Sequence, residues 1–125
     1  MGYLVIACYR PKPGKGAELL AAVRDHLPIL RGEGLATGRA SIVMRASDGT
    51  LVELFEWASK EAVDRAHSNP AVLDLWKRFS EAAEYVRLRD IQETSDLFAH
   101  FEPVDDAGDH AMALSSADPG AGRAG

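Results

Sequence analysis

Cysteine is nearly missing from this chain: Cys8 is the only one among 125 residues. An internal disulfide framework is thereby excluded, and a reducing, cytoplasmic setting is the expected one. Long hydrophobic runs are also lacking. The longest, Tyr3 to Cys8, is far shorter than a bilayer requires, and no basic region precedes it as in a secretion signal. There is no Lys/Arg block, and the formal net charge is −5. Neither nucleic acid nor an anionic membrane is therefore expected as a partner. P-loop, GxGxxG and nucleophile-elbow patterns are missing. His26, His67, His100 and His110 are scattered without HxH or HExxH spacing, so no metal site is expected.

What is present has ordinary globular proportions, 46% hydrophobic and 26% charged, in a length that suits one core. The expected domain is 1–104. The stretch 105–125 (DDAGDHAMALSSADPGAGRAG) is small and acidic with few sizeable apolar groups, and reads as a flexible tail.

Within the domain, Tyr3–Arg10 is rich in aromatic and β-branched residues and reads as a buried strand ended by Pro11 and Pro13. Leu19, Leu20, Val23, Leu27 and Leu30 recur at helical spacing, with Pro28 expected to kink or end that helix. Arg39–Ala46 alternates as a strand, Ser47-Asp48-Gly49 marks a hairpin, and Thr50–Trp57 returns. Ser59 is placed to cap a short helix ending near His67, and Asn69-Pro70 to start a longer one reaching about Glu84. Tyr85–Thr94 reads as a connection with one turn, and Leu97–Val104 as the last strand.

The expected order is β-α-β-β-α-β: an α+β, ferredoxin-like split βαβ, an antiparallel sheet with its helices on one face. The uncovered face would carry Leu4, Ile6, Ala40, Ile42 and Met44. Such a face calls for a partner, and a symmetric homodimer supplies one most simply.

Phe55-Glu-Trp57-Ala-Ser-Lys-Glu61-Ala62, then Ala66-His67-Ser-Asn-Pro70 and Trp76, resemble the antibiotic biosynthesis monooxygenase-like family of dimeric α/β barrels. The resemblance spans Tyr3 to Val104. It implies a ferredoxin-like fold paired into a dimeric barrel. It also implies cofactor-independent oxygenation, or related chemistry, of an aromatic or quinol-like molecule in a cleft between sheet and helices. A non-catalytic, dimeric ligand-binding or structural module of the same fold is the alternative. The family's haem-degrading branch is disfavoured. Its strand Asn, helix Trp and iron-binding His would fall on Ala7, Ala66 and Trp76.

His67 has two readings: a base on an acidic phenol or anthrone-type substrate, or a helix-end residue that bonds the last carbonyls. Tyr9, Trp57 and Trp76 are the pocket candidates, as hydrogen-bond donors and stacking surfaces, against a plain core-filling role. Arg39 and Arg45 share a strand face and have two readings: holding a carboxylate or phenolate, or a solvated face with dimer-rim pairs to Glu53 or Glu56. Cys8 reads as buried and inert.

Overall fold

The computed structural model describes residues 2–104; the expected tail, 105–125, lies outside the described residues. Five strands and three α-helices follow the order β1 (Tyr3–Pro11), α1 (Gly16–Gly32), β2 (Ile42–Arg45), β3 (Leu51–Trp57), α2 (Lys60–Ala66), α3 (Pro70–Ala82), β4 (Ala83–Val86) and β5 (Glu102–Pro103). The sheet is antiparallel throughout, in the spatial order β4-β1-β3-β2-β5. The first four strands have the split-βαβ, ferredoxin-like order, and β5 is added at the β2 edge.

Local chemistry accounts for the punctuation. Gly49 closes the β2–β3 hairpin at φ 92°, in the left-handed region that Gly enters without a Cβ penalty. Ser59 Oγ accepts from the Ala62 N–H at 3.1 Å and starts α2. Asn69 Oδ1 accepts from the Ala71 and Val72 N–H groups, with Pro70 at the first helical position of α3.

Three expectations need correction. Pro28 neither ends nor interrupts α1, which runs on to Gly32. Its ring lies on the exposed side, while Leu27 and Leu30 on either side are buried, so packing holds the last turn despite the missing N–H. The fourth strand of the fold is Ala83–Val86, entered directly from α3, and not Leu97–Val104. Of the latter stretch only Glu102–Pro103 pairs, with β2. Leu97 and Phe98 pair with no strand among the described residues and are 91% and 73% exposed. Finally, β2 is shorter than Arg39–Ala46 and spans only Ile42–Arg45.

Parity along the strands divides the sheet into two faces. Val5, Ala7 and Tyr9 on β1, Leu51, Glu53, Phe55 and Trp57 on β3, and Val43 on β2 alternate with the opposite set and face the helices. The opposite face is covered at one end only. There Cys8, Ala46, Val52 and Ile91 form a small cluster, joined by Met44, Val86 and Phe101. Beyond it, Ile6, Leu54 and Ile42 lie in one row across three strands, with Ile6 and Ile42 about half exposed (46% and 54%). Cys8 is buried, which raises its thiol pKa.

Candidate functional site

The helix-facing side of the sheet is not fully packed. Between β1, β3 and β4 below and α1 and α3 above lies a cavity of about 400 Å³, within the range of small-molecule sites. Strand β1 contributes Val5, Ala7 and Tyr9 to its wall, β3 contributes Phe55 and Trp57, and β4 contributes Tyr85. The helices add His26, Trp76 and Phe79, and His67 stands just past the end of α2. Aromatic rings predominate because inward parity on the strands and the apolar stripes of the helices both aim large side chains here.

All four sequence candidates border this cavity, with different surroundings. Trp57 is buried and tilts against Phe55 at 5.3 Å between ring centres. Trp76 is half-buried and joins the two core clusters on the helix side. Exposed His67 meets the Trp76 ring edge-on at 5.0 Å. Its Nδ1 lies 2.8 Å from the Val63 carbonyl. Nδ1 therefore carries the hydrogen and donates it, so the helix-capping contact is real; in the neutral ring Nε2 keeps its lone pair. Tyr9 is buried and stacks on Phe79 at 4.6 Å, while its hydroxyl donates to Glu53 Oε1 at 2.7 Å.

That last bond belongs to a buried polar cluster not singled out in the sequence. Glu53 is 1% exposed. His26 Nδ1 also reaches Glu53 Oε1, at 2.8 Å, and the His26 ring stands edge-on to Phe55 and Phe79 at 5.0 Å each. Burial, followed by the adjacent Glu53 carboxylate, pushes the Tyr9 hydroxyl well above its ordinary pKa. Tyr9 thus stays a donor. With Glu53 as the carboxylate, His26 Nδ1 likewise donates to Oε1, in the tautomer that carries its hydrogen on Nδ1. His26 Nε2 is buried with no hydrogen-bond partner.

Glu53 is therefore not a partner for Arg39 or Arg45. Arg39 pairs instead with Glu56, at 3.0 Å on the outer face, and Thr37 also donates to that carboxylate. These two bonds hold the Glu56 carboxyl below its usual pKa. The signal for the buried cluster was in the pattern. His26 falls on the stripe Leu19, Ala22, Val23, Leu27, Leu30, and Glu53 holds an inward position between Leu51 and Phe55. A charged residue on an inward strand position and a His on an apolar helix stripe are each anomalous, and each accounts for the other.

Among the described residues no group of three or more His, Cys, Asp or Glu side chains is arranged to hold a metal ion. No helix among them is long and apolar enough to cross a membrane. Compared with known proteins, the chain matches no family model, no curated protein and no solved structure.

Proposed function

We propose that this protein binds a planar aromatic or quinol-like molecule in the cavity under α1 and α3, and that it oxygenates this substrate without a cofactor. The observation that carries the reading is the cavity itself: about 400 Å³, walled by Trp57, Trp76, Phe55 and Phe79, with two histidines in the lining. Such walls favour flat, polarisable ligands, and an apolar interior strengthens any polar contact made inside it. In the proposed reaction a base removes a proton from an acidic ring CH2. The resulting carbanion reduces dioxygen to a bound hydroperoxide, and loss of water leaves a carbonyl. The balance is CH2 plus O2 giving C=O plus H2O, with the substrate supplying every electron. His67, at the mouth with Nε2 unprotonated in the neutral ring, is the base of this proposal, and Trp57 and Trp76 hold the ring.

A binding module without catalysis is the second reading. It draws on one observation: the Tyr9 hydroxyl is committed to Glu53, which leaves the strand side of the wall largely apolar.

The homodimer is part of the same proposal. The row Ile6, Leu54, Ile42 lies open on the face away from the helices, and a second copy would close it sheet to sheet.

The test is a thermal-shift screen of the full chain with anthrones, quinols and small aromatic acids, followed by oxygen uptake with any hit. A ligand at a hundred times its Kd stabilises the native state by about 2.7 kcal/mol. Oxygen uptake that falls about a hundredfold in His67→Ala supports catalysis through His67. Binding without oxygen uptake selects the binding module. Silence from the whole panel removes the cavity as a site for flat aromatic molecules.

A further inference from the structure

We infer that His26 is a second, interior proton acceptor of this cavity, with Glu53 and Tyr9 as the residues that position it. The inference rests on the cavity reading above and adds a substrate class to it: molecules whose O–H or C–H is acidic enough to give a proton to an imidazole. Three observations converge. The His26 ring forms part of the cavity wall. Its Nδ1 lies 2.8 Å from Glu53 Oε1, and Phe55 and Phe79 meet the ring in T-shaped contacts at 5.0 Å each. Its Nε2 is buried and has no partner.

A carboxylate that fixes Nδ1–H leaves Nε2 as the basic nitrogen, and it stabilises the imidazolium formed when Nε2 gains a proton. Glu53 is itself held in place by the Tyr9 hydroxyl on the same oxygen. A buried carboxylate with both donors is tolerable, whereas one with neither would cost several kcal/mol. The arrangement is therefore poorly explained as core filling: a Leu–Phe pair of similar volume would pack without polar cost and leave no nitrogen unpaired. In the proposed step the substrate's O–H or C–H bond breaks, its electron pair stays on the substrate, and the proton forms a new N–H bond at Nε2. No redox partner is required. His67, exposed and anchored to the Val63 carbonyl, differs in lacking any carboxylate at its Nδ1.

The test uses 4-nitrophenol and the full-length protein, at a pH where the free dye is mainly neutral. Quenching of tryptophan fluorescence reads binding, and the nitrophenolate absorption band reads proton transfer. The wild type is expected to quench and to ionise the bound dye. His26→Gln should still quench but show the bound phenolate reduced by about tenfold or more, the equivalent of one pKa unit or more. Glu53→Gln should give an intermediate loss. Ionisation that survives in His26→Gln, or that disappears only in His67→Gln, overturns the inference and leaves the cavity reading intact. No quenching in the wild type overturns both.

A second measurement does not depend on variants folding. Nitrogen chemical shifts of the His26 ring in the wild type should show Nδ1 protonated and Nε2 bare, with Nε2 gaining a hydrogen when 4-nitrophenol binds. A bare Nδ1, or an Nε2 already protonated before the dye is added, overturns the inference.

Discussion

Replacing Tyr9 by Phe isolates one bond of the buried cluster. The ring stays, and with it the stack on Phe79 at 4.6 Å; only the hydroxyl that donates to Glu53 Oε1 at 2.7 Å is lost. A hydrogen bond to a charged, buried acceptor contributes about 1.5–3 kcal/mol, so a destabilisation of about 2 kcal/mol is expected at neutral pH. For a domain of this size that lowers Tm by roughly 8 °C. The pH dependence gives a second check. The folded-state pKa of Tyr9 lies well above its ordinary 10.0. The folded protein thus keeps a proton that the unfolded chain gives up above that value. The Tyr9 contribution is full below pH 10 and declines by about 1.4 kcal/mol per pH unit above it. Tyr9→Phe removes that alkaline decline, so the stability difference between the two proteins should narrow above pH 10. Urea unfolding at neutral and alkaline pH measures both effects. A variant within about 0.5 kcal/mol of the wild type, with the same alkaline slope, would show that the hydroxyl does not hold the carboxylate and would refute the reasoning.

The remaining predictions concern the frame. Asn69→Ala removes the oxygen that accepts the Ala71 and Val72 N–H groups at the start of α3, and should cost about 1 kcal/mol in urea unfolding, with Asn69→Gly costing less. An unchanged midpoint in Asn69→Ala would mean that water satisfies those donors equally well. Leu4→Lys combined with Ile42→Lys places like charges on the open sheet face, at two exposed positions. Light scattering should then read a monomer where the wild type reads a dimer, with helix content unchanged. A wild type that is already monomeric refutes the sheet-to-sheet pairing.

How much of this was legible in the sequence follows from the range of the forces involved. The helix starts at Ser59 and Asn69 and the turn at Gly49 were readable because a cap or a positive φ is a contact over three or four residues. The first three strands were readable from short apolar or alternating runs bounded by turn residues. Yet β1, which reads as buried on both faces, leaves Leu4 and Ile6 about half exposed on the face away from the helices. Ala83–Val86 carried no such mark. It has four residues, no breaker separates it from α3, and what makes it a strand is the edge of β1 lying beside it at Cys8 to Pro11. Leu97–Val104 shows the converse. It alternates like a strand, yet Leu97 and Phe98 pair with no strand among the described residues and stay exposed.

The candidate site divides in the same way. Tyr9, Trp57, His67 and Trp76 could be named one at a time from residue type and position, and the sequence by itself determined the amphipathic elements that carry them. Only the tertiary structure decided that they border one cavity, that His67 is tied to Val63, and that the polar centre of the wall is His26 with Glu53. Those two residues are 27 apart in sequence, and each is an anomaly on its own element. A buried charge becomes intelligible only when its partner is seen across the core, because the free energy that permits it resides in the pair rather than in either residue.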